Sequence, residues 1–316
     1  MLDIVSIGGC SSDIFYKTAE GKILKDKKQD FLAFEYGSKI IPEDTYFTYG
    51  GGGYNSTRNF AKLGLKAALV SSVGSEDTGT VILKNLKAAN IGSQFLNRST
   101  KLHTALSFVV VDGKDHVLFT YRGANDDLKI ENWKGLKNAK WFYISSLSGH
   151  SHMLIPKIFK FARMNKIKIA WNPGSVQLEE GYGHLAPFLK ETDILSLNKE
   201  EAKELVKSAK SKVDKKDTKS ILAEVKSFGP KIAIITCGRQ GAYVCDGFAD
   251  YFQKSLSAEI IDTTGAGDAF GSTFTACQIM GLSIEVSMQK AAKNAASVVG
   301  RWGATEGLLK RSDLLK

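Results

Sequence analysis

The sequence predicts an α/β fold: a doubly wound, mostly parallel sheet flanked by helices, with a small β-sheet lid. Three observations predict it. Short apolar segments alternate with amphipathic ones from about residue 40 to the C-terminus, as in strands buried on both faces and the helices that cover them. Two stretches, 13–41 and 95–122, break this rhythm with strand-like segments and no helix between them. The 316 residues suffice for one large domain, or for such a domain with a small appendage.

In chain order, Ile4-Val5-Ser6-Ile7 reads as the first strand. It lacks the basic segment and long apolar run of a signal peptide. Further strands are predicted at 67–73, 141–145, 168–172, 193–196 and 231–236. Amphipathic segments at 78–89, 153–164, 200–206 and 221–228 read as helices between them. Within the second β stretch, 105–111 and 117–121 flank Asp112-Gly113-Lys114, a hairpin pattern. Residues 1–316 are expected as a single domain with lid insertions at about 13–36 and 96–122. A lid is favoured over edge strands of the main sheet because both insertions follow segments expected to end near a site.

Composition narrows the function. Apolar residues make up 43% and charged residues 24%, which suits a globular chain. The four cysteines, Cys10, Cys237, Cys245 and Cys277, form no CxxC pair and have no histidines at metal spacing. A reduced, cytoplasmic chain without a structural metal is expected. No run approaches the roughly 18 apolar residues of a membrane span. The net charge is +10, but the lysines are scattered and the densest cluster, 207–219, is interleaved with Ser and Asp. It reads as a solvated loop and not as a nucleic-acid patch. A basic surface also attracts polyanionic nucleotides.

Two segments carry the chemistry. Asp262-Thr263-Thr264-Gly265-Ala266-Gly267-Asp268 leads into a helix predicted at 269–280. Its small residues let the backbone approach a ligand, and free N–H groups with the helix dipole favour an anion there. A carboxylate beside an anion hole needs a task, and removing a proton from an attacking hydroxyl fits Asp268. Alternatively, Asp268 is only an acidic residue in a first helical turn. The second segment, Gly50-Gly51-Gly52-Gly53-Tyr54-Asn55, also feeds a helix, and Gly64 and Gly74 follow. Four consecutive glycines cost chain entropy. A backbone floor against a polyhydroxy ligand, with the Asn55 amide donating and accepting, explains them better than a flexible loop.

Together these segments resemble the ribokinase (PfkB) family over nearly the whole chain. Residues 51–74 resemble its first signature and 262–268 its second. Smaller matching pieces, in family order, are 9–13, Gly123-Ala124-Asn125, Asn172-Pro173, 198–201 and 236–241. The resemblance implies a kinase moving the γ-phosphate of ATP to a hydroxyl of a small sugar or nucleoside, with no nucleic-acid or membrane partner. It implies Asp268 as general base and Gly265, Ala266 and Gly267 as its anion hole. Asp13, Gly51, Gly52 and Asn55 are implied in acceptor binding. Thr236, Gly238 and Gly241 are implied in the nucleotide turn, and Asn198 and Glu201 in organising Mg²⁺ and phosphate, Glu201 through water. Asp262 and Thr264 match a monovalent-cation (K⁺) element found in some members. A homodimer through the lid is a further expectation.

Departures from the pattern bear on the acceptor. Ribokinase itself has a lysine where Gly52 stands and a substrate-binding glutamate near Ser145 or Ser146, so free ribose is not implied. Thr273 stands where the second signature usually has Ala or Gly, and Gly307 where ribokinase has one serine ligand for the cation. Asn55-Ser56-Thr57-Arg58 leans toward adenosine kinases. The lid aromatics Phe15, Tyr16, Phe31, Phe34 and Tyr36 either stack on a base or pack the lid against itself. A nucleoside or pentose-bearing acceptor is the expectation. The alternatives are a fructokinase-type free-sugar kinase, or a non-catalytic nucleotide- or sugar-binding sensor on the same fold.

Overall fold

The first strand, β1 (Leu2–Ile7), sends Val5 and Ile7 into one core and Ile4 into another, so both of its faces are covered. The computed structural model describes residues 1–26, 30–112 and 116–314. After β1 come β2 (Ser11–Lys17), β3 (Lys22–Lys25), β4 (Asp30–Ala33), β5 (Asp44–Gly50), β6 (Ala67–Gly74), β7 (Gly92–Ser99), β8 (Ala105–Val111) and β9 (His116–Tyr121). The later strands are β10 (Ala139–Ile144), β11 (Lys168–Trp171), β12 (Ile194–Asn198), β13 (Ile232–Thr236), β14 (Ala242–Cys245) and β15 (Asp250–Gln253).

The main sheet has nine strands in the order β15-β14-β13-β12-β11-β10-β1-β6-β7. It is parallel from β13 to β7, with β14 and β15 antiparallel at one edge. On one face the helices Ile155–Asn165, Gly181–Lys190, Lys199–Ser208 and Thr218–Ser227 enclose Phe142, Phe159 and Trp171. On the other, Gly52–Lys62, Ala266–Ile279 and Ile284–Val299 enclose Phe60, Tyr143 and Phe274. The strand order reverses at β1, which lies between β6 and β10. In an open α/β sheet, the crevice beyond the strand ends at such a reversal is where ligands bind. No described helix is long and apolar enough to cross a membrane.

A second sheet has the order β5-β2-β8-β9. Its bounds differ from those read in the sequence. Residues 44–50 join it as β5, while 92–99 pair with β6 in the main sheet as β7. Burial explains the difference. Alternate residues of β2 are buried and need partner strands, whereas β3 and β4 are largely exposed and form a separate two-stranded hairpin. Strands β8 and β9 pair antiparallel, and of the turn expected at Asp112-Gly113-Lys114, residues 113 and 114 lie outside the described residues.

Candidate active site

The end of β1 crowds the loops around it, and this crowding dictates the glycines. Gly51 has φ +89°, and a Cβ there would stand 2.5 Å from the Gly9 carbonyl oxygen. A Cβ on Gly50 would lie 2.1 Å from Asp13 Oδ2, so Gly50 makes room for that carboxylate. A Cβ on Gly52 would lie 2.8 Å from the Ser145 Cβ. The Ser145 side chain thus occupies space that a side chain at 52 would need.

Asp13 is set by register, opposite Thr48 of β5 and Ser107 of β8. It is 5% exposed, and the Ser11 hydroxyl donates to its Oδ1 at 2.9 Å. Burial pushes its carboxyl above the ordinary value, opposed by hydrogen bonds from the Ser107 and Ser11 hydroxyls. Asn125 clamps the loop after β1: its Oδ1 accepts from Cys10 N and its Nδ2 donates to Cys10 O, both at 3.0 Å.

The helix after Asp262-Thr263-Thr264-Gly265 begins at Ala266, three residues earlier than the sequence suggested. Asp268 is therefore in its first turn, behind the left-handed Gly265 at φ +77°. A Cβ on Gly265 would lie 2.3 Å from the Ala304 Cβ. Asn55 Nδ2 donates to Asp268 Oδ2 at 2.8 Å, and Asn55 Oδ1 is buried without a partner among the described residues. A buried carbonyl of this kind is suited to a hydroxyl brought by a ligand. Burial pushes the Asp268 carboxyl up, and the Asn55 amide opposes the shift.

Asn198 caps the helix Lys199–Ser208. Its Oδ1 accepts from Glu201 N at 2.9 Å, and Glu201 Oε2 accepts from Asn198 N at 2.7 Å. The Glu201 carboxyl is pushed up by burial and further by the charge of Asp268, against the Asn198 N–H bond. Asp262 ties two loops together: its Oδ1 accepts from Thr264 N at 2.9 Å and its Oδ2 from Gly303 N at 3.0 Å.

Three cavities lie in a row. The first, about 310 Å³, is lined by Asp13, Gly51, Gly52 and Asn55 below the lid, and by Gly265 and Asp268. The second, about 220 Å³, shares Gly265 and Asp268 with it and adds Asn198, Glu201 and Thr236. The third, about 310 Å³, shares Thr236 and Gly267 with the second and adds Gly238, Gly241 and Ala266. Its remaining wall is mostly apolar, with Leu256, Ile260, Phe270 and Val299. The candidate catalytic and binding residues read from the sequence thus line these cavities, except Asp262, which ties two loops together. Thr264 lines the first cavity.

The lid aromatics divide. Phe15 lines the first cavity and packs on Trp302 with centroids 5.6 Å apart. Tyr16 packs on Phe108, while Phe31, Phe34 and Tyr36 are exposed and line none of the three cavities. The sequence reading missed Ser107, His116, Tyr121 and Arg122 in the first cavity, and Arg239 in the third. Arg122 adjoins Gly123-Ala124-Asn125, which was a usable signal. Ser107 meets Asp13 only through strand register, which leaves no local trace.

A family model described as pfkB family carbohydrate kinase matches residues 22–311. The chain is similar to a ribokinase of Bacillus subtilis, 24% identical, with 99% of this chain and 98% of the relative covered. In structure it resembles an Arabidopsis thaliana ribokinase complexed with ribose and ATP, with a TM-score of 0.81 at 20% identity, covering 99% and 97% of the two chains. It also resembles a Burkholderia thailandensis nucleoside kinase in complex with inosine, with a TM-score of 0.80 at 16% identity, covering 98% and 96%.

Proposed function

The chain belongs to the pfkB family of carbohydrate kinases, and from that premise we propose that it moves the γ-phosphate of ATP onto a hydroxyl of a nucleoside or other pentose-bearing acceptor. One observation carries the reading: Asp268 lines both the lid-covered cavity and the polar cavity that leads to the apolar slot. The acceptor lies in the first cavity on Asp13 and Asn55, and the nucleotide in the third, with its phosphates in the second.

Asp268 takes the proton of the acceptor hydroxyl as that oxygen attacks the γ-phosphorus. The bond to the bridging oxygen breaks, and ADP leaves with the electron pair. The first-turn N–H groups behind Gly265, Ala266 and Gly267 face the transferring group and stabilise its charge. The lid excludes water, which limits wasteful hydrolysis. A bound Mg²⁺ would supply positive charge that offsets the charge of the phosphates. Glu201, through water, and Asn198 would hold it: two carboxylates, Glu201 and Asp268, line one polar cavity and fit a cation there. K⁺ beside Asp262 and Thr264 is a further part of the proposal. We place the enzyme in the cytoplasm, in keeping with its four free cysteines.

The acceptor class rests on the shape of the first cavity. Its floor is polar, while Phe15, Val109, Leu118 and Tyr121 give one wall an apolar character suited to a planar base. A panel of ribose, fructose, adenosine, guanosine, cytidine and inosine tests this by acceptor-dependent ADP release. Turnover on a nucleoside is expected. Strong activity on fructose with none on any nucleoside would overturn the acceptor class and leave the kinase reading standing.

A homodimer through the lid belongs to the same proposal. Strands β5 and β9 are the open edges of the lid sheet, and Phe47, Leu118 and Phe119 are each more than half exposed. Sedimentation is expected to show a dimer that Phe119→Lys weakens. A wild-type monomer at micromolar concentration would contradict it.

A further inference from the structure

We propose that Thr273 is a positioning residue: it anchors a buried hydrogen-bond ring that fixes the distance between Asn55 and Asp268. The inference rests on the reading of Asp268 as base. Asn55 and Asn59 are one turn apart on the helix Gly52–Lys62, and Asp268 and Ser272 are one turn apart on Ala266–Ile279. The two helices therefore meet twice through side-chain hydrogen bonds. At the cavity, Asn55 Nδ2 donates to Asp268 Oδ2 at 2.8 Å. One turn inward, Asn59 Nδ2 donates to Ser272 Oγ at 2.7 Å and to Thr273 Oγ1 at 2.8 Å.

A third helix closes the ring. Asn294, on Ile284–Val299, donates from Nδ2 to Asn59 Oδ1 at 2.9 Å and to Thr273 Oγ1 at 2.8 Å. Its own Oδ1 accepts from Leu309 N at 2.8 Å. Asn59, Ser272, Thr273 and Asn294 are all fully buried. Thr273 Oγ1 accepts from both amides, so removing it leaves two buried N–H groups each short of a partner.

An apolar seam would hold the helices together equally well, but it would not set their axial register. A directional ring does, at the cost of burying polar groups. The register it sets is the one that places the Asn55 amide on the Asp268 carboxylate. Ser272 tightens the same turn by donating from its hydroxyl to the Asp268 carbonyl oxygen. This explains why a polar Thr273 stands where the resembling signature has a small apolar residue or glycine.

The test is Thr273→Val, which keeps the shape and removes the acceptor, with Thr273→Ser, Asn55→Ala and the Thr273→Val/Asn55→Ala double variant. Misplacement of a catalytic contact is expressed in turnover, so Thr273→Val is expected to lower kcat roughly 10- to 100-fold with the KM for ATP unchanged. Thr273→Ser is expected to restore turnover. In the Asn55→Ala background, Thr273→Val is expected to lower kcat no further, because the contact it positions is already gone. If the Val variant does not fold, Thr273→Ala is read in the same way. An unchanged kcat, a loss fully additive with Asn55→Ala, or a loss that serine does not restore would overturn the proposal. Asp268→Asn separates this from the base itself. If that variant is inactive while Thr273→Val is fully active, the positioning role fails and the base stands. If Asp268→Asn turns over normally, the reading of the base fails.

Discussion

Asp13, Glu201 and Asp268 share one electrostatic situation: each carboxyl is pushed above its ordinary value, with burial as the first cause. For catalysis the sign is direct. A base must have lost its proton, so the proposal that Asp268 is the base predicts activity at neutral pH that is lost as pH falls through its raised value. The acid limb of kcat/KM is therefore expected above the ordinary aspartate value of 3.8. An acid limb at or below that value contradicts the assignment. For stability the sign is opposite. The folded protein holds the proton over a window where the unfolded chain has released it, so this contribution is complete below the unfolded value and is lost as pH rises through the folded one. Asp13, Asn55 and Asp268 were legible because glycines stand close to each in sequence, and clustered glycines mark a backbone that something must approach closely. Ser107 was not, because its partner, Asp13, is remote in sequence and comes beside it only through sheet pairing.

Among the elements, the buried parallel strands were legible from apolar runs broken by amphipathic helices. The lid was legible only in outline. Strand β5 mixes exposed, half-buried and buried residues without a regular alternation, yet it pairs along all of β2. Strand β7 carries polar residues but forms the edge of the main sheet. Trp302, which joins the lid sheet to the core, lay outside every motif. Trp302 stacks on Tyr46 at 4.8 Å and meets Phe15 at 5.6 Å, and its neighbour Gly303 donates to Asp262. Each aromatic pair contributes about 0.5–1.5 kcal/mol beyond burial. Trp302→Ala is expected to raise the KM for the acceptor and to increase acceptor-independent ATP hydrolysis, as a looser lid admits water. ADP release without acceptor measures this. Unchanged hydrolysis and an unchanged acceptor KM would show that the ring stack does not hold the lid.

For the whole molecule, the sheet reversal at β1 opens a crevice, and two glycine-led helices enter it from the same face of the sheet. The helix Gly52–Lys62 carries Asn55 and Ala266–Ile279 carries Asp268, which brings residues 213 apart in sequence into hydrogen-bond contact. In the proposed reading the three cavities serve as acceptor, phosphate and nucleotide compartments, and Asp268 lines both of the first two. The most direct test of that arrangement is acceptor-dependent ADP release by wild type and by Asp268→Asn, alongside nucleotide binding by each. Loss of a general base is expected to lower kcat roughly 10²–10⁴-fold while ATP binding is retained. Turnover by Asp268→Asn within a few-fold of wild type would contradict the account.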